Sequence, residues 1–284
     1  MKFGGSCLEN SRSFEQITKI IKNYLKKSKL IIVTSAMKGI TDKLIDFYNK
    51  SCNEGAECDY LIEEIRNIHN KLINQIIDSN KKEYEKSINY LRRNIDELLQ
   101  LGRVIQLIRP SLDIQDLIIS YGERLSTFIL TQYLNSIAIK SEFISSNELI
   151  ITDDNFGNAL PLLVDTEILA NEKLVPLLII ESIQIVCITG FYGSTKKDKK
   201  ITTFGRGGSD LTAAIIAYSL RTSFNCKVIY WKDVRGLLDA DPNIVEKSSL
   251  LKLISYKEAK ELAFFGSKIL HPLSLDVNEK GNIP

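Results

Sequence analysis

The chain is poor in the residues that build metal centres and hydrolytic triads. It has two histidines, His69 and His271, and five scattered cysteines, Cys7, Cys52, Cys58, Cys187 and Cys226. Cys52 and Cys58 stand too far apart for a C-x-x-C pair, and no cysteine and histidine share a familiar zinc spacing. An odd, unpaired set of cysteines fits a reducing compartment. With only 15 glycines and 6 prolines in 284 residues, collagen-like and proline-rich readings fail. No apolar run approaches the length of a membrane span, and Met1-Lys2-Phe3-Gly4-Gly5 offers no apolar signal core. Lys+Arg number 37 against 35 Asp+Glu, so global charge gives no reason to expect nucleic acid. The expectation is a soluble cytoplasmic protein with no nucleic-acid or membrane partner.

What is present is ordinary globular material: 44% hydrophobic and 25% charged residues, enough for one large domain or two small ones. A short strand at the start leads to a glycine pair. A helix is expected from about Ser13, with Ser13 and Gln16 as a capping box and Phe14, Ile17, Ile21, Tyr24 and Leu25 on one apolar face. Leu30–Val33 reads as a buried strand, and Thr34–Gly39 as a loop before a helix from Thr41 or Asp42, with Thr41 a good N-cap. Strand, small-residue loop and helix make the βα unit of an α/β fold.

Residues 57–108 differ. Leu61, Ile65, Ile68, Leu72 and Ile76, then Ile88, Leu91, Ile95 and Leu98, recur at helical spacing around an Asp78-Ser79-Asn80 turn, predicting a helical hairpin inserted between strands. The βα rhythm returns near Leu117, with Ser120-Tyr121-Gly122-Glu123 opening a helix through Leu130. Strands are expected at Lys140–Ile144, Ile185–Thr189 and Val228–Trp231, and Leu174–Ile180 is a further apolar stretch. Lys196, Lys197, Lys199 and Lys200 suit a solvated hairpin tip. Thr203–Asp210 opens a helix through Leu220, and helices follow at Tyr256–Phe265 and Pro272 to about Asn278. The pattern is α/β with a mainly parallel sheet and no internal repeat. Asn282-Ile283-Pro284 reads as the start of a strand, so a continuation of the chain is expected.

The phosphate-binding fingerprints G-x-x-x-x-G-K-[ST] and G-x-G-x-x-G are missing, as is the G-x-S-x-G elbow. In their place are two glycine-rich strand ends. Lys2-Phe3-Gly4-Gly5-Ser6 sets a cation beside two glycines, whose backbone can approach phosphate closely. The same residues also suit a plain tight turn. Gly205-Arg206-Gly207-Gly208-Ser209-Asp210 opens a helix, an anion-binding geometry in which Arg206 suits a carboxylate. Asp210 can position a lysine or a magnesium ion there, or serve only as an acid favoured by the helix dipole.

These stretches resemble the catalytic domain of the aspartate kinases, in the amino acid kinase family. Lys2–Ser6 resembles that family's Lys-Phe-Gly-Gly-Thr-Ser. Ser35-Ala36-Met37-Lys38-Gly39-Ile40-Thr41 resembles its Ser-Ala-x-x-Gly-x-Thr loop. Thr203–Asp210 resembles Thr-Thr-Leu-Gly-Arg-Gly-Gly-Ser-Asp, and Phe265–Pro272 resembles Phe-Gly-Ala-Lys-Val-Leu-His-Pro. The order and spacing fit essentially the whole chain, and the insert at 57–108 matches this branch.

The resemblance implies a three-layer αβα sandwich with a mainly parallel central sheet and two lobes. The N-terminal lobe, about 1–195, would bind aspartate, and the C-terminal lobe, about 196–284, would bind ATP. The implied reaction moves the γ-phosphoryl group of ATP, carried with Mg2+, to the β-carboxylate of L-aspartate. This is the entry to lysine, threonine and methionine synthesis. By the resemblance, Lys2 and Asp210 are catalytic, and Thr41, Glu123, Arg206, Gly207, Gly208 and Ser209 bind substrate. Lys2, Phe3, Gly4, Gly5, Lys232, Asp233, Leu238, Asn243 and Lys268 would bind nucleotide, with Gly4 and Gly5 donating backbone N–H groups to phosphate. No protein-held metal is implied. The stretch after Trp231 departs from the family: Lys232 replaces threonine, Leu238 tyrosine and Asn243 arginine. Trp231 fits the core and His271 a structural place. Regulatory ACT domains would follow Pro284, and a homodimer is compatible with the family. A sibling kinase for a related acid, and a non-catalytic binding module on the same fold, are the competing readings.

Overall fold

The computed structural model describes residues 1–53, 57–107, 110–234, 236, 238, 248–264 and 270–284. In chain order the elements are β1 (Lys2–Phe3), α1 (Ser11–Leu25), β2 (Leu30–Thr34), α2 (Ile40–Ser51), α3 (Asp59–Ile76), α4 (Lys82–Leu107) and α5 (Leu112–Ser136). They continue with β3 (Ser141–Ile144), β4 (Ile151–Thr152), α6 (Leu163–Ile179), β5 (Ile185–Thr189), β6 (Tyr192–Thr195), β7 (Ile201–Thr203), α7 (Gly208–Leu220), β8 (Tyr230–Trp231), α8 (Tyr256–Phe264) and α9 (Pro272–Gly281).

A five-stranded sheet, ordered β3-β5-β2-β1-β8, is parallel throughout. Its side chains alternate between two cores, as the strand period of two requires. Leu30 and Ile32 of β2, with Ile185 and Cys187 of β5, pack toward α1–α5. Val33, Val186 and Ile188 pack on the other face against α6, α7 and α9. A helical layer on each face of one parallel sheet is the expected three-layer αβα arrangement. A smaller sheet, β4-β6-β7, pairs β4 with β6 in parallel and β6 with β7 as a hairpin whose tip holds the lysine cluster.

The hairpin α3–α4 forms where the apolar period placed it. Leu61, Ile65, Leu72, Leu91, Ile95 and Leu98 are all buried in the same core as α2 and α5. Three local expectations are corrected. Asn10, not Ser13, caps α1, its side chain accepting from the Ser13 backbone N–H at 3.0 Å. Thr41 does not cap α2, because Gly39 in the left-handed conformation (φ 79°) holds the cap position. The helix expected to open at Ser120 begins at Leu112, so Gly122 lies in its interior. An interior glycine costs about 1 kcal/mol of helix propensity. Here it allows contact, since a Cβ at Gly122 would meet the Cβ of Ala36 at 2.7 Å. The apolar stretch Leu174–Ile180 lies largely in α6, which carries Pro176 inside it. Among the described residues no helix is long and apolar enough to cross a membrane, and all five cysteines are free.

Candidate active site

In parallel α/β sheets, ligand sites gather at the carboxyl ends of strands. Four such ends converge here: Gly4 after β1, Ser35 after β2, Gly190 after β5 and Lys232 after β8. Glycine makes the convergence possible. A Cβ at Gly5 would sit 2.5 Å from the Ala36 carbonyl oxygen, and one at Gly190 would sit 2.6 Å from the Cβ of Ser209. The loops after β1, β2 and β5 therefore touch through backbone, and α7 begins directly beneath them.

Asp210 lies in the first turn of α7 with its side chain 2% exposed. Lys2 Nζ stands 2.8 Å from its Oδ1, and Lys232 Nζ stands 2.7 Å from its Oδ2. The Tyr230 hydroxyl, which accepts from Asn278 Nδ2 at 3.0 Å, is 3.5 Å from the Asp210 carbonyl oxygen. Two lysines, Lys2 within β1 and Lys232 directly after β8, thus meet one buried carboxylate at a helix N-terminus.

Beside this cluster is a cavity of about 590 Å³. Lys2, Thr41, Glu123, Arg206, Gly207, Gly208 and Ser209 all line it, so residues from both sides of position 195 share one cavity. Ser209 Oγ accepts from Ser35 Oγ at 3.0 Å. Gly205 and Gly207 take φ values of 74° and 81°, the left-handed region that favours glycine. Arg206 between them is exposed. His271 packs against this loop, where a Cβ at Gly207 would meet the histidine ring at 3.3 Å, and burial lowers its pKa.

Glu123 is the unusual group in the cavity. It is 3% exposed. Its Oε1 accepts from the Ala36 backbone N–H at 2.9 Å, while Oε2 is buried with no hydrogen-bond partner. Burial raises its pKa to about 8, against smaller lowering effects from the Ala36 N–H and the Lys2 charge. An unmade hydrogen bond on a buried acceptor costs about 1–3 kcal/mol. A ligand ammonium placed in the cavity would remove that cost.

Not every predicted binder reaches the cavity. Phe3 turns its side chain into the core and stacks on Trp231 with ring centroids 6.3 Å apart. Gly4 spends its N–H on the Trp231 carbonyl at 3.2 Å, so it cannot donate that group to phosphate as expected. Its value is close approach, with Lys2 Nζ 3.8 Å from where its Cβ would be. Asp233 is exposed, and Leu238 pairs with Leu250 in an isolated bridge away from the cavity. Asn243 and Lys268 lie outside the described residues.

Sequence reading missed several lining groups. Asp116, 1% exposed, accepts from the Gly157 and Thr203 backbone N–H groups through Oδ2, both at 2.8 Å, and from Thr203 Oγ1 through Oδ1 at 2.7 Å. Burial raises its pKa, opposed by those bonds. Phe191 lines the cavity with φ 80°, a rare conformation for a residue with a side chain. Gln115, Asp116, Ile119 and Glu123 share one helical face by their spacing, a signal that became readable once α5 was known to start at Leu112.

A family model for the amino acid kinase family matches residues 1–284. Aspartokinase 2, chloroplastic, of Arabidopsis thaliana is 32% identical over 286 aligned positions, covering 100% of this chain and 51% of that protein. Lysine-sensitive aspartokinase 3 of Escherichia coli (strain K12) is 30% identical, over 100% of this chain and 59% of that protein. The structure of E. coli aspartokinase III with aspartate and ADP superposes with a TM-score of 0.86 at 29% identity, covering 99% of this chain and 59% of that one. The chain thus spans about half the length of the curated plant relatives it matches.

Proposed function

The chain belongs to the amino acid kinase family, and from that membership we propose that it is an aspartate kinase catalytic domain, transferring the γ-phosphoryl group of ATP to the β-carboxylate of L-aspartate. The observation that carries this reading is the unpartnered Glu123 Oε2 in a cavity shared with Arg206 and Lys2. A free amino acid needs an acceptor for its ammonium and a cation for its carboxylate, and this cavity supplies both. An N-acylated acid has no ammonium to meet Glu123. The relatives named for aspartokinase activity, and the solved relative described with aspartate and ADP, support the same substrate pair.

The chemistry asks little of the protein beyond positioning and charge. The β-carboxylate is ionised at neutral pH, so no base has to activate it. One of its oxygens forms a bond to the γ-phosphorus as the bond from that phosphorus to the β–γ bridging oxygen breaks. The products are 4-phospho-L-aspartate and ADP. Lys2 neutralises charge on the moving group, and Asp210 holds Lys2 in place. Arg206 takes the α-carboxylate, Glu123 the ammonium, and Thr41 and Ser209 add hydroxyl contacts.

Both Asp210 oxygens meet lysines. That donor set fits a magnesium ion arriving on the nucleotide as part of the substrate. We place the nucleotide on the side of residues 196–284, with Lys232 and Lys268 as its basic contacts.

The test is ADP release by the chain with Mg-ATP, with and without L-aspartate, with L-glutamate and N-acetyl-L-glutamate as controls and hydroxylamine to trap the acyl phosphate. Aspartate-dependent ADP with a trapped hydroxamate is expected. Turnover with N-acetyl-L-glutamate in preference to aspartate would sink the substrate assignment, and calorimetry showing no aspartate binding would do the same.

A further inference from the structure

Glu123 and Arg206 serve the two ends of one small ligand, yet they stand on separate parts of the fold. Glu123 is buried on α5 and tied to the Ala36 N–H. Arg206 is exposed, on a loop between two left-handed glycines. An exposed side chain on such a loop is placed by whatever holds the loop's backbone.

The holder is a residue of α5. Asp116 Oδ2 accepts from the Thr203 N–H at 2.8 Å, and Oδ1 accepts from the Thr203 hydroxyl at 2.7 Å, three residues before Arg206. The same Oδ2 accepts from the Gly157 N–H at 2.8 Å. The turn that contains Gly157 backs the loop. A Cβ at Gly205 would stand 3.4 Å from the Gly157 carbonyl oxygen and 3.3 Å from Asn158 Oδ1. A further bond, from the Ala159 N–H to the Thr203 carbonyl at 2.9 Å, closes this turn onto β7. Strand, turn and helix thus meet at one buried carboxylate.

The residue type matters. Three donors converge on two oxygens, a demand that a carboxylate meets with acceptors alone. An amide of the same shape would keep one acceptor oxygen and set its own N–H groups against donors. Bonds from N–H groups to a charged acceptor are also the stronger kind. An acidic ligand gains nothing by touching Asp116, so this residue acts on the ligand through Arg206.

We propose that Asp116 is a positioning residue for substrate recognition. It fixes the Arg206 loop to the helix that carries Glu123, and so sets the span between the carboxylate-binding and ammonium-binding groups. The proposal rests on the kinase reading above, in which Arg206 takes the α-carboxylate. It makes selection for a free α-carboxylate a property of α5 as well as of the loop.

The experiment compares L-aspartate with its α-amide, L-isoasparagine, which keeps the ammonium and the β-carboxylate but offers Arg206 no charge. Calorimetry is run on the whole chain for wild type, Asp116→Asn and Thr203→Val, with thermal melts alongside. Wild type should prefer aspartate by about tenfold or more, the worth of a charge-assisted hydrogen bond. Asp116→Asn should weaken aspartate about tenfold and isoasparagine by less than about twofold, so that the preference is lost. Thr203→Val removes one of the three bonds and should cut the preference about threefold, which also serves should Asp116→Asn not fold. Equal weakening of both ligands with a lowered melting temperature, the mark of a merely structural acid, would overturn the proposal. So would variants that keep the wild-type preference. A wild type that binds both ligands alike would overturn the Arg206 assignment, and one that binds neither would overturn the kinase reading. The proposal falls with either, and both results are distinct from a wild-type preference that the variants leave intact.

Discussion

Gly122 of α5 lies against Ala36 so closely that a methyl group on the glycine would stand 2.7 Å from the alanine Cβ. The next residue in the helix, Glu123, takes the Ala36 N–H. Packing and hydrogen bond therefore fix the same loop to the same turn of helix. Gly122→Ala should gain about 1 kcal/mol of helix propensity and lose about 1–3 kcal/mol to overpacking. A lower melting temperature and a higher KM for aspartate are expected together. A variant that melts higher with KM unchanged would show that the loop yields freely.

Glu123 gives a pH dependence with a definite sign. Its ordinary pKa is 4.5, and burial raises it to about 8 in the ligand-free fold. Between these values the folded chain holds a proton that the unfolded chain has released. This group's contribution to stability is therefore full below 4.5 and declines as pH rises toward 8. Glu123→Gln should flatten that decline in thermal melts while weakening aspartate by about tenfold or more. Aspartate binding to the wild type below about pH 8 should expel this proton. Calorimetry in buffers of different ionisation enthalpy would detect the release, and its absence would mean that the ammonium does not meet Glu123.

Lys2 separates catalysis from binding. Lys2→Met removes one of the two ammonium groups on Asp210 and leaves Lys232. The buried acid keeps a partner, so the cost to folding should fall below the roughly 3–5 kcal/mol of a fully broken buried pair. We expect kcat to fall by about a hundredfold or more and aspartate affinity by less than about threefold. A variant that fails to fold would make Lys2 chiefly a structural residue.

Much of this was legible in the sequence because local periodicity matched the final packing. The α3–α4 hairpin shows a 3.6-residue period on both arms, and Ile185–Thr189 is a short apolar run that became a central strand. Long-range geometry was not legible. Asp116 binds groups 41 and 87 residues away, and no local pattern marks such a partner. Gly122 looked like a boundary because an interior helical glycine is rare without a neighbour that needs the space. Gly4 looked like a phosphate donor because the Trp231 carbonyl that takes its N–H comes from the far end of the chain. Lys232 was visible as a departure from the family, but its direction toward Asp210 depends on β8 lying beside β1.

Asp116 and Glu123 are two helical turns apart on α5. One clasps the 157 and 203 backbones, and the other faces the cavity. One residue inserted between them would leave the clasp in place and swing Glu123 by about 100° around the helix axis. That seven-residue interval is a tooth spacing on a key, fixed in count as well as in composition. Insertions and deletions that this chain can absorb belong elsewhere, in the turn between α3 and α4 or at the lysine-rich tip of the β6–β7 hairpin, where added residues displace neither Asp116 nor Glu123.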